Sequence, residues 1–139
     1  MLNHKLSRKA QLFLLGALLG VAIFLLVYGT APLNVANDAF CRGGYIEKDI
    51  QQHYAGWLFY KRSAIGWPLG VTDAVNYPGG VSVAYTDSIP LLAALCRPLA
   101  AALGGTFQYF GWFTLVCFAL QGGFGALLCS LFAGGLFSP

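Results

Sequence analysis

Residues 10–28, AQLFLLGALLGVAIFLLVY, hold one clearly polar side chain, Gln11. The run is close to the ~20 residues that a helix needs to cross the hydrocarbon core of a bilayer. Lys5, Arg8 and Lys9 come before or at its edge. A secretory signal peptide also begins with basic residues. Its apolar stretch, however, is about 7–15 residues long and ends at a small-residue cleavage site. Here the run is longer, and Pro32 follows the one small-residue candidate, Gly29-Thr30-Ala31. The segment reads as an uncleaved span. Gly16 and Gly20 form a small-xxx-small pair that would let a second helix approach closely.

Composition extends this reading to the whole chain. Of 139 residues, 58% are hydrophobic and 9% are charged. A water-soluble domain carries about 25% charged residues, so too little polar surface is left to face water on all sides. The formal net charge of +3 is small and scattered. It forms none of the basic stripes that nucleic-acid binding requires. Cys96, Cys117 and Cys129 lie in apolar runs and only Cys41 in a polar region, which excludes a disulfide framework or a zinc cluster.

All five acids (Asp38, Glu47, Asp49, Asp73 and Asp87) fall between residues 30 and 88, so this is the water-facing part. It also contains Phe40, Phe59, Trp57, Trp67 and five of the seven tyrosines. Linkers and disordered segments lack such residues, whereas Trp and Tyr concentrate at membrane–water boundaries. Within it, Ile46, Ile50, Tyr54, Trp57 and Leu58 recur near helical spacing, which predicts an amphipathic helix over 46–62. Lys61 and Arg62 suit its C-terminal dipole. We expect this helix to lie along the membrane surface. Trp67-Pro68-Leu69-Gly70 and Tyr77-Pro78-Gly79-Gly80 are turn signals, with irregular or briefly extended chain around them.

Residues 88–105 are apolar but interrupted by Pro90 and Arg97-Pro98. They fit a kinked span or a re-entrant hairpin, and we take the span. Residues 111–137 form a further span, with Gln121 as the one strongly polar side chain and Gly122, Gly123 and Gly125 suited to close packing. The predicted fold is therefore an all-α membrane protein, a single membrane domain over 1–139. It has about three spans (10–28, 88–105 and 111–137) and a large loop, about 30–87. The uncharged end after Phe137 suggests a fragment of a larger bundle. The cluster Lys5, Arg8, Lys9 places the N-terminus in the cytoplasm by the positive-inside rule and the loop outside it.

Asp49 is the sharpest candidate for chemistry. On a helix, Asp49, His53, Gly56 and Tyr60 fall on one stripe. A carboxylate and an imidazole one turn apart can hold a proton or share a cation, and the glycine leaves room for a ligand. The plain alternative is a solvated acid beside a helical neighbour. Asp87 precedes Ser88-Ile89-Pro90 and serves equally as a helix cap or as a second acid near Asp49. Arg97 could face a lipid phosphate, snorkel to the surface or pair with a carboxylate. No phosphate loop, dinucleotide fingerprint, HExxH or GxSxG motif occurs.

Several motifs carry a resemblance that covers nearly the whole chain. They are Gly44-Tyr45-Ile46-Glu47-Lys48-Asp49-Ile50-Gln51-Gln52-His53-Tyr54-Ala55-Gly56-Trp57, Trp67-Pro68-Leu69-Gly70, Asn76-Tyr77-Pro78-Gly79-Gly80, Tyr85-Thr86-Asp87-Ser88-Ile89-Pro90-Leu91 and Phe107-Gln108-Tyr109-Phe110-Gly111. Together they look like the start of a family of bacterial multi-spanning membrane proteins that resembles the C-type (GT-C) glycosyltransferases. Those enzymes take sugars from polyprenyl-phosphate carriers. The resemblance implies an acid in the first extracytoplasmic loop that acts as catalytic base or helps bind a divalent cation, and Asp49 is the matching position. Asp87 would be a second such acid, with His53, Tyr54, Trp57 and Arg97 in supporting or substrate-binding roles. It further implies location in the bacterial cytoplasmic membrane, contact with membrane lipid and a polyprenyl-phosphate-linked sugar, and a bundle completed by further helices or a partner subunit. The alternative is a non-catalytic membrane subunit that uses its aromatic loop for docking. A transporter piece is a third possibility, which the lack of an internal repeat disfavours.

Overall fold

The computed structural model describes residues 7–43, 48–64, 66–86, 88–103 and 105–136. The chain is mostly helical. Helix α1 spans Arg8–Tyr28, α2 Ala39–Arg42, α3 Lys48–Arg62, α4 Pro90–Leu103 and α5 Phe110–Leu136, with β1 (Val71–Thr72) and β2 (Val81–Ser82) between α3 and α4. It divides into two compact units, one formed by residues 31–111 and the other by the segments on either side of them.

In the flanking unit, α1 has 21 residues and α5 has 27, and both are long and apolar enough to cross a membrane. The Ser7 hydroxyl caps the start of α1 by accepting from the Ala10 amide at 3.3 Å. Gly29, with a φ of 70°, ends the helix, its amide bonding Leu25 O at 3.0 Å. The two helices touch backbone to backbone. A Cβ on Gly16 would overlap Gly122 O, one on Gly20 would overlap Phe118 O, and one on Gly122 would overlap Gly16 O. Thus the Gly16/Gly20 pair does serve close approach, with Gly122 as its counterpart. Phe13 meets Phe124 at 5.2 Å and Phe24 meets Phe118 at 5.9 Å between ring centroids. Early residues of α1 contact late residues of α5, so the pair is antiparallel. The chain therefore leaves α1 and enters α5 at the same end. The opposite faces, including Leu15, Leu18, Leu26, Leu131 and Phe132, are bare.

The unit 31–111 is built around α3. Trp57 is fully buried, and Tyr54, Tyr60, Phe107, Tyr109 and Phe110 close around it. Trp57 packs edge-on against Tyr109 at 5.0 Å and Phe107 at 6.1 Å, and Tyr54 against Phe110 at 6.2 Å. The Trp57 indole N–H donates to Phe107 O at 2.8 Å. Helix α3 matches the expected amphipathic helix from residue 48 onward, while residues 46–47 lie outside the described set. Its predicted resting place needs correction. The apolar face is covered by protein, not turned to a membrane surface, because residues 107–110 return across it.

The strands pair antiparallel, Val71 with Ser82 and Thr72 with Val81. Asn76 adopts a φ of 58° in the connecting turn, where its carbonyl accepts from the Gly80 amide at 2.9 Å. The segment expected as a span over 88–105 is the 14-residue α4, about 21 Å long at 1.5 Å per residue. That is too short to cross a ~30 Å hydrocarbon core. It also packs against α3 through the buried residues Ala93, Arg97 and Ala100. Two helices of spanning length are present among the described residues, where the sequence led us to expect three.

Candidate functional site

The expected site divides between the surface and the interior of α3. Asp49 is exposed on the first turn. His53, one turn on, is half-buried, and its Nδ1 is enclosed with no hydrogen-bond partner among the described residues. Gly56 is buried, and the space beside it is taken. A Cβ there would overlap Ser88 Oγ and Thr86 Oγ1. The room expected for a ligand is therefore filled by the chain's own hydroxyls, which corrects that part of the sequence reading.

Thr86 and Ser88 are tightly held. Ser88 Oγ donates to His53 O at 2.9 Å, Thr86 Oγ1 donates to Val83 O at 2.8 Å, and the two hydroxyls lie 2.9 Å apart. The Tyr109 hydroxyl donates to Ser88 O. Ile89 follows with a φ of 52°, a left-handed conformation that strains a β-branched residue. The bonds on Ser88 and the Ala93 amide on Ile89 O at 3.0 Å fix that bend. Asp87 lies outside the described residues.

The residues expected to support Asp49 make packing contacts and hydrogen bonds within the unit. Trp57 is enclosed in the core. Tyr54 is buried and donates its hydroxyl to Asp38 Oδ2 at 2.9 Å. Arg97 is buried too. Its guanidinium donates to Ser63 O and stacks on the Tyr60 ring at 4.4 Å, so it caps the end of α3. Lys61 likewise bonds Gly105 O at 2.5 Å.

Sequence reading missed Asp38, the best-connected acid among the described residues. Arg42 Nε donates to its Oδ2 at 2.8 Å, with the second guanidinium nitrogen at 2.7 Å. Burial alone would raise the Asp38 carboxyl, but the bonds from Tyr54 and Arg42 hold it below its usual range. Burial, followed by the bond to Asp38, pushes the Tyr54 hydroxyl up. Burial also raises the Cys41 thiol to about 12, so the one cysteine outside the apolar runs is an inert core residue. The Asp38–Arg42 spacing of four is the sequence signal that could have flagged this acid. Tyr54 joins it only through the fold.

A depressed carboxyl stabilises the folded state above its unfolded pKa of ~3.9, and that contribution is lost as pH falls through the lower folded value. Asp38→Asn is expected to lower stability near pH 7 by about 1.5–3 kcal/mol, the range for hydrogen bonds to a charged group. It should also flatten the acid limb of stability. Unfolding midpoints from pH 3 to 7 check this; an acid limb identical to the parent's would exclude Asp38 as its origin.

No three His, Cys, Asp or Glu residues gather into a metal-binding group among the described residues, and Glu47 and Asp87 lie outside them. The fold and site define a mostly helical chain in which two long apolar helices enclose, in sequence, a folded aromatic unit bearing an exposed acid. Residues 17–138 match the model of DUF6311, a domain of unknown function, and the chain belongs to that family. No curated protein and no solved structure matches it.

Proposed function

We propose that this chain forms the membrane-embedded N-terminal portion of a glycosyltransferase of the GT-C kind, working from a polyprenyl-phosphate-linked sugar. In this reading α1 and α5 cross the bilayer, residues 31–111 lie outside the cytoplasm, and Asp49 is the general base. The bare apolar faces of α1 and α5 support the crossings, because helices that are apolar all round need either a protein interior or lipid. Their antiparallel pairing and the shortness of α4 favour two crossings over three. The basic N-terminal cluster supports a cytoplasmic N-terminus.

One observation carries the catalytic part. In the folded loop that follows the first long helix, Asp49 is an acid left open to solvent on the first turn of a rigid helix, while Trp57, Tyr54 and Arg97 are committed to packing. The chemistry is a substitution at the anomeric carbon. Asp49 takes the acceptor hydroxyl proton and the oxygen bonds to that carbon. The carbon–oxygen bond to the carrier breaks, and the carrier phosphate leaves with the electron pair. His53 is placed to steady Asp49 from one turn away.

A general base contributes about 10²–10⁴-fold in rate. Asp49→Asn in membranes containing the complete natural protein is expected to reduce transfer by about that factor while leaving insertion intact. Transfer at the parent rate would remove Asp49 from the mechanism. It would favour the second reading, a non-catalytic subunit, for which exposed rings elsewhere in the loop are the supporting feature.

A further inference from the structure

With α3 packed inward, the aromatic surface of the 31–111 unit lies elsewhere. Trp67 is 88% exposed, Tyr77 85%, Tyr85 82% and Leu69 69%. They belong to the β1–β2 ribbon and its approaches. The Val83 amide donates to Gly70 O at 2.6 Å, which draws the Trp67–Leu69 turn and the Tyr85 turn to one end of the ribbon; Tyr77 sits in the turn at the other. Water is a poor environment for rings this bare.

We propose that this ribbon is an interfacial anchor, seated in the headgroup layer of the same bilayer that α1 and α5 cross; the proposal rests on that membrane reading. Three observations single out this occupant. First, the two ends of the unit are tied to each other. Gln108 Nε2 donates to Pro32 O at 2.8 Å, and Gly111 lies so near Pro32 that a Cβ would overlap its carbonyl. Pro32 follows α1 by four residues and Gly111 is the second residue of α5, so in the membrane reading the clasped ends run directly into the two crossings. Second, no Lys, Arg or His occurs between Ser63 and Arg97, so the ribbon and its approaches carry no cation of their own with which to grip an acidic protein or nucleic acid. Third, Trp and Tyr combine an apolar ring with an N–H or O–H that can bond headgroups, while Leu69 and the neighbouring prolines add purely apolar area.

Tryptophan fluorescence of the full chain in phosphatidylcholine vesicles tests this. The Trp67 signal is the difference between Trp112→Phe and the double variant Trp112→Phe/Trp67→Phe, since buried Trp57 contributes equally to both. It is expected to lose more than half its intensity to a spin label placed shallowly in the lipid, to emit to the blue of exposed tryptophan and to resist aqueous iodide. Iodide quenching without lipid quenching would overturn the proposal, as would shielding from both, which would point to a protein partner. The Trp112 signal, parent minus Trp112→Phe, separates this from failure of the membrane reading. If lipid labels quench Trp112 but not Trp67, only the anchor is wrong; if they quench neither, α5 is not in the bilayer and both ideas fall.

Discussion

Trp57→Ala is expected to destabilise the 31–111 unit by about 3–5 kcal/mol, the range for removing a large aromatic side chain from a packed core. The indole is wholly enclosed and touches Phe107 and Tyr109, and its N–H satisfies Phe107 O. Alanine leaves both a cavity and a buried carbonyl without its donor. Domains are stable by only about 5–15 kcal/mol, so a loss of this size should leave much of the unit open to protease under mild conditions. Ala55→Glu, on the exposed side of the same helix, is the control and should change stability by no more than about 0.5 kcal/mol. Gln51 would serve poorly as a control, because its side chain bonds Arg42 O at 2.8 Å and Gly43 O at 3.0 Å. Equal protease resistance of Trp57→Ala and Ala55→Glu would contradict the inward register of α3.

Gln108→Leu should be comparably severe although it keeps the volume. The Gln108 amide is fully buried and reaches Pro32 O at 2.8 Å and Asn34 O at 3.2 Å, while its Oε1 accepts from the Gly111 amide at 3.1 Å. Leucine strips partners from each of these groups. An interior polar group left unpaired costs about 1–3 kcal/mol, so we expect a loss of about 3 kcal/mol or more. Because these bonds join the start of the unit to its end, proteolysis should begin within residues 31–37. A thermal midpoint within a degree of the parent's would show that Gln108 is not the clasp.

The contrast between what was legible in the sequence and what was not has a physical basis. The long helices were readable because unbroken apolar runs admit few alternatives: 10–28 became Arg8–Tyr28 and 111–137 became Phe110–Leu136. Helix α3 was readable from its period. What covers its apolar stripe was not, since a stripe of Tyr54 and Trp57 suits lipid headgroups and an aromatic core equally well. The partners that decide it, Phe107 to Phe110, lie some fifty residues away. The same holds at Gly56, where the missing side chain could mean ligand space or, as found, room for Thr86 and Ser88. Arg97 in an apolar segment suggested a phosphate, yet Tyr60 of α3 supplies a ring for it and Ser63, just past that helix, a carbonyl. Residues 88–105 had nearly the length of a span. The pinned bend at Ser88–Ile89 and the helix end at Leu103 shorten the helix in ways composition does not reveal. Of the candidate site, only the exposure of Asp49 on a helix was legible.

The central claim is that α1 and α5 make two crossings with residues 31–111 outside the cytoplasm. Single cysteines test it in a background with Cys41, Cys96, Cys117 and Cys129 replaced by Ala. The probes are Ser7→Cys, Ala74→Cys in the exposed turn between the strands, and a cysteine added directly after Pro139. With a membrane-impermeant maleimide on intact bacterial cells, Ala74→Cys should be labelled, and the two terminal probes should react only after the membrane is opened. Labelling of the cysteine after Pro139 from outside, together with Ala74→Cys, would show an odd number of crossings, one or three. Labelling of Ser7→Cys from outside, with Ala74→Cys protected, would reverse the orientation; either result would contradict the account.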